Sequence, residues 1–104
     1  MDIYVYEITT QSAASGTWSK NTLEIRAGIC HQIILASTQS STTFDFKLID
    51  DKSNVAYDTQ RREKTATGVL DDEIVLPVHG IYTMRVYNAS SDDTFTGRLL
   101  VRDT

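Results

Sequence analysis

The feature that most constrains this chain is a period of two in its apolar residues. Phe44, Phe46 and Leu48 alternate with Thr43, Asp45 and Lys47. Tyr82, Met84 and Val86 alternate with Thr83, Arg85 and Tyr87, while Phe95, Leu99 and Val101 share one parity against Thr96, Arg98 and Arg102. Successive side chains of a β-strand point to opposite faces, so this spacing sets an apolar face against a core and a polar face in water. The same segments are rich in β-branched and aromatic residues, which suit a pleated, half-buried surface.

Followed along the chain, the pattern places strands near residues 2–9, 17–26, 29–37, 42–50, 54–60, 66–70, 73–78, 80–89 and 94–102. Between them, Ser15-Gly16, Ala27-Gly28, the run Asp50 to Asn54, Asp71-Asp72, His79-Gly80 and the run Asn88 to Asp93 carry turn chemistry. Glycine supplies positive φ, and Asx and Ser side chains bond the local backbone. The single proline, Pro77, has no N–H to give a ladder; it is expected to close one strand before His79-Gly80 turns the chain into the last hairpin. The polar run Asp58 to Thr65 reads as a loop or edge strand. About eight short strands at this spacing predict an all-β fold, a two-sheet antiparallel β-sandwich of jelly-roll-like form. The expected core is Leu23, Ile25, Ile33, Leu35, Phe44, Phe46, Leu48, Tyr82, Met84, Val86, Phe95, Leu99 and Val101.

A length of 104 residues with 40% hydrophobic content fits one sandwich domain over residues 1–104. Such a domain buries only about 60–70% of its unfolded surface, so oligomerisation is a natural supplement to its stability. The net charge of −4, from 14 acidic and 10 basic side chains, argues against a nucleic-acid partner, because a phosphate backbone needs a basic field. Cys30 is the only cysteine, which excludes an intrachain disulfide. The segment from Met1 to Glu7 lacks the basic and apolar regions of a signal peptide, and no run approaches the roughly 18 apolar residues of a membrane span. A protein made in the cytoplasm, not exported by a signal peptide and without a membrane partner, is therefore expected.

No catalytic, metal or cofactor constellation emerges. His31 and His79 are far apart, and with one cysteine no usual zinc spacing exists. His31 falls in an alternating run and reads as a core or interface histidine; His79 beside Gly80 reads as a turn residue. The pairs Asp50-Asp51, Asp71-Asp72 and Asp92-Asp93 offer carboxylate oxygens but not the spacing of an EF-hand loop, and aspartate is common in turns. The run Arg61-Arg62-Glu63-Lys64 reads as a solvated loop. No Gly-x-Ser-x-Gly elbow, phosphate-cradling loop or dinucleotide fingerprint occurs, so the chain is expected not to be an enzyme. Trp18 with Tyr4, Tyr6, Tyr57, Tyr82 and Tyr87 forms either a sugar-stacking platform or, as alternating aromatics more commonly do, core and cross-strand pairs.

The C-terminal third contains Gly80-Ile81-Tyr82-Thr83-Met84-Arg85-Val86, an Asn/Ser/Asp turn, and Phe95-Thr96-Gly97-Arg98-Leu99. This hairpin resembles the closing hairpin of jelly-roll-like modules, found in bacterial pre-peptidase and carbohydrate-binding domains and in small virion proteins of tailed phages. The segment Thr42 to Asp51 is further similar to the virion group. That resemblance implies a non-enzymatic structural protein of a tailed-phage particle, above all a capsid decoration or cement protein located in the virion. Its implied partners are the major capsid protein, or another virion protein, and further copies of itself, as in a trimer. A tail, fibre or head-closure component and a carbohydrate-binding module are the alternatives.

The residues offered for partner binding are Ile3, Tyr4, Val5, Tyr6 and Ile8. They place apolar side chains on both parities of one strand, so both faces are expected to be covered. Residues 10–16 form a polar connector that would let residues 1–9 add to a neighbouring subunit, or fold back as a central strand of the chain's own sandwich.

Overall fold

A computed structural model describes residues 2–13 and 20–103. These residues form seven strands, β1 (Ile3–Ala13), β2 (Lys20–Ser37), β3 (Thr43–Asp50), β4 (Val55–Asp58), β5 (Ala66–Thr67), β6 (Val69–Tyr87) and β7 (Asp93–Arg102), with one 3₁₀ turn at Gln60–Arg62. All pairings are antiparallel, in the order β1-β7-β2-β6-β5-β3-β4.

Two strands are too long to be straight. The 19 residues of β6 would span about 60 Å fully extended, yet the longest extent of the molecule is 38 Å. Both β2 and β6 therefore bend. Arg26 and Ala27 of β2 oppose the single residue His79 of β6, a β-bulge, and beside it Gly80 has φ of 106°. The bend divides the sheet into two layers. In one lie β1, β7, the second half of β2 and the first half of β6; in the other lie the first half of β2, the second half of β6, β3 and β4. Strands that switch layers at bulges are how a sandwich turns its corners.

The core fills the space between these layers. Phe44, Phe46 and Leu48 of β3 and Met84 and Val86 of β6 face Ile33 and Leu35 of β2 and Phe95, Leu99 and Val101 of β7, all buried. Of the expected core only Leu23 is partly exposed, and it packs against the same cluster. Gly97 of β7 has no room for a side chain: a Cβ there would lie 2.4 Å from Met84 Cε of the other layer and 2.6 Å from Cδ1 of its ladder neighbour Leu35.

The all-β sandwich is as the periodicity predicts, but three expected turns lie inside strands. Ala27-Gly28 and His79-Gly80 bend the chain rather than reverse it, so what read as separate short strands is one long strand in each case. Asp71-Asp72 lies within β6, where Asp72 is buried and neutralised by neighbours described below. Pro77 also sits inside β6, on a stretch whose only strand partner among the described residues is β2, an edge position that tolerates a missing N–H. The run after Asp58 forms the 3₁₀ turn, closed by Glu63 in the left-handed region at φ 54°.

Candidate functional site at an open strand edge

β1 is an edge strand. It pairs with β7 from Ile3↔Arg102 to Thr10↔Phe95, and its other side has no strand partner among the described residues. The ladder fixes which backbone groups face outward. Asp103 N–H donates to the Asp2 carbonyl at 3.1 Å, so the residues of β1 in phase with Asp2 turn their backbone groups towards β7. Ile3, Val5 and Glu7, in the other phase, direct N–H and C=O to the open side.

The side chains divide in the same way. Tyr4 and Tyr6 are half-buried on the inner face; Tyr6 packs against the core, and its hydroxyl accepts the Arg26 N–H at 3.0 Å. The Arg26 guanidinium lies over the Tyr4 ring, 4.2 Å from its centroid. Ile3 and Val5 are 56% and 57% exposed on the outer face, beside Leu100 of β7. Ile8 pairs with Gly97, and its side chain lies outside the described residues. Thus β1 is not covered on both faces, and it is an edge rather than a central strand of its own sandwich. Its outer face and outer edge are left open by the described residues.

The other edges are protected in ways natural sheets use against unwanted pairing. β4 is only four residues long. The open stretch of β6 carries Asp71 and Glu73 outward, Asp72 inward and Pro77. The first half of β2 exposes Thr22 and Glu24. β6 also exposes Val69 and Val75 on its open stretch, but among its charges and Pro77, whereas β1 carries neither a charge nor a proline from Ile3 to Tyr6, beside its exposed Ile3 and Val5.

The remaining polar candidates serve the fold. The Asp72 carboxylate accepts the Tyr57 hydroxyl at 2.7 Å, Arg62 Nε at 3.0 Å and Lys64 Nζ at 2.8 Å. Burial pushes its pKa up, but the Lys64 and Tyr57 bonds and the Arg62 charge outweigh that and hold it below the usual carboxylate range. Asp93 ties two loops together by accepting the Ser37, Thr38 and Thr42 hydroxyls and the Gln39 and Thr94 N–H groups. Asp50 takes the N–H groups of Lys52 and Asn54 in its own turn. Cys30 is fully buried, and burial pushes its thiol up to about 11, far from reactive. Trp18 lies outside the described residues.

One grouping has no sequence signal. His31, Arg62 and Arg102 line a common groove although no local motif joins them. Only the sheet register brings β2 and β7 side by side there, with the 3₁₀ turn folded over β6.

No protein-family model and no curated protein matches the sequence. Solved structures do share the fold. The Yersinia pseudotuberculosis-derived mitogen superposes with a TM-score of 0.55 at 14% identity, over 99% of this chain and 88% of that one. PliG of Aeromonas hydrophila, a periplasmic inhibitor of g-type lysozyme, gives a TM-score of 0.56 at 14% identity over 92% and 85% of the two chains. The STIV MCP, a viral capsid protein, is more distant: a TM-score of 0.46 at 10% identity, over 99% of this chain and 49% of that one. At these identities the likeness shows the fold alone, a β-sandwich that hosts many unrelated roles.

Proposed function

We propose that this chain works by binding rather than by catalysis, as a structural protein of a tailed-phage particle: a capsid decoration protein that docks on the major capsid protein through β1. The observation that carries the binding mode is the open edge at Ile3, Val5 and Glu7 with Ile3 and Val5 more than half exposed. A partner strand laid along that edge gains main-chain hydrogen bonds, and its side chains cover the two aliphatic residues. The resemblance of the closing hairpin and of residues 42–51 to small virion proteins supports the biological setting.

Sedimentation with assembled capsid shells tests the proposal. The intact chain should co-sediment saturably, and Val5→Asp should remain folded by circular dichroism yet stay in the supernatant. Failure of the intact chain to associate with shells, or equal association of Val5→Asp, would overturn it. Glycan-array binding without shell association would point instead to the carbohydrate-binding alternative.

A further inference from the structure

The layer containing β1 splays open near its far edge. From Cys30 to Gln32, β2 advances by two residues; opposite it β6 runs from Leu76 to Glu73, three residues, and β7 from Val101 to Leu100, one residue. Strands that advance unequally cannot stay in step, so the ladder is interrupted at His31. A groove of about 650 Å³ opens there, floored by His31 and Gln32 and flanked by Arg62, Glu73 and Arg102. It shares Arg62, Ile74 and Val75 with a second cavity of about 260 Å³ that continues between β4 and β6 along Val55, Tyr57 and Leu76.

The polar end holds unused donors. His31 Nε2 is buried and has no hydrogen-bond partner among the described residues, a condition that costs free energy unless a ligand or water satisfies it. Arg102 makes no ion pair among the described residues. Arg62 gives only its Nε to Asp72, and its guanidinium sits over the Tyr57 ring at 5.7 Å from the centroid. The Asp72 bond and the ring contact hold the guanidinium in place, while its terminal nitrogens remain as donors. Two guanidinium groups and one imidazole thus line this end, against the single carboxylate of Glu73. The other end is walled by Ile74, Leu76 and Val55, with Val75 at the crest, 79% exposed, and with Asp58 and Arg61 at its margin.

We infer that this groove binds a small amphiphilic anion. A carboxylate or phosphate group accepts hydrogen bonds from His31 Nε2–H, Arg62 and Arg102, and an apolar body lies along Ile74 and Val75 towards Tyr57. Planar guanidinium forks suit either oxyanion. The inference is independent of the role of β1, which lies at the opposite edge of the layer from β6.

Titrating the isotopically labelled full chain at constant ionic strength with inorganic phosphate, acetate and hexanoate, against a chloride reference, tests it by NMR. The His31 imidazole and the amides of Gln32, Glu73 and Val75 should shift saturably with phosphate or a carboxylate, while the His79 imidazole should not. Hexanoate should bind more tightly than acetate. Arg102→Gln should weaken binding about tenfold or more. Val75→Glu, at an exposed position that the fold does not need, should abolish it by repulsion. Saturation by phosphate alone would restrict the site to the polar end and remove the apolar half of the inference, as would equal affinity for acetate and hexanoate. No saturable shift, equal responses of His31 and His79, shifts reproduced by chloride, or unchanged affinity in both variants would overturn the site.

Discussion

Phe44 and Phe95 meet edge to face across the sandwich, their ring centroids 5.0 Å apart and their planes at 64°. Phe44 belongs to β3 and Phe95 to β7, strands in different layers that share no ladder, so this contact clamps the layers at one end of the core. Both rings are fully buried. Phe95→Ala should lower stability by about 3–5 kcal/mol, because it loses the transfer free energy of the ring and leaves a cavity. A double-mutant cycle with Phe44→Leu and Phe95→Leu should show a coupling of about 0.5–1.5 kcal/mol. Chemical denaturation measures both; wild-type stability in Phe95→Ala would mean that the ring does not face the core.

Asp72 gives the fold a defined dependence on acid. Asp72→Asn keeps a hydrogen-bond acceptor for Tyr57 but loses the charge that Arg62 and Lys64 bond, at a cost of about 1–3 kcal/mol near neutral pH. The native carboxyl titrates below its ordinary value of 3.8, so its contribution is fully present above that value. It is lost as the pH falls from there through the lower native pKa. The stability gap between wild type and Asp72→Asn should therefore be constant near neutrality and close progressively below about pH 4. A gap that widens on acidification would contradict the ion network.

How much of this was legible in the sequence follows from the physics of each signal. The core was legible because Phe44, Phe46, Met84, Phe95 and Leu99 sit on strict alternation, and alternation reports one buried face whatever the topology. The bends were not. Ala27-Gly28 and His79-Gly80 have the same residues whether a strand reverses or only changes layer, and just the pairing of β2 with β6 decides between them. Asp72 was misleading for a related reason: an aspartate is a turn residue by propensity, and its partners Tyr57, Arg62 and Lys64 arrive from a different part of the chain. In β1 the apolar residues on both parities were visible, but which parity faces the core depends on its register with β7. The groove at His31 has no periodic or motif signal at all, since it arises from strands losing step.

Calcium should have no effect on stability. One carboxylate of each acidic pair is already engaged: Asp93 by hydroxyl and N–H donors from Ser37, Thr38, Gln39, Thr42 and Thr94, Asp50 by Lys52 and Asn54, and Asp72 by Tyr57, Arg62 and Lys64. A calcium ion needs six to eight oxygen ligands at about 2.3–2.6 Å, and these donors would have to be displaced first. The melting temperature should be the same in chelator and in millimolar calcium. A calcium-dependent rise would show an ion bound to the native state, since such binding stabilises by mass action.

The open edge of β1 can be tested with proline. If Val5 directs its N–H outward and Tyr6 directs its N–H towards Leu99 of β7, replacing each with proline has opposite consequences. Val5→Pro removes a donor that the chain does not use, so the protein should stay folded with a modest loss of stability. It should nevertheless lose shell association, because both the missing N–H and the ring block an incoming strand. Tyr6→Pro removes a ladder bond within the chain and an aromatic ring packed on the core, and should cost about 3 kcal/mol or more. Thermal melting combined with shell sedimentation separates the two effects. A severely destabilised Val5→Pro beside a stable Tyr6→Pro would reverse the assigned phase of the ladder. A stable Val5→Pro that still binds shells would leave the edge intact as structure but remove it as the docking surface.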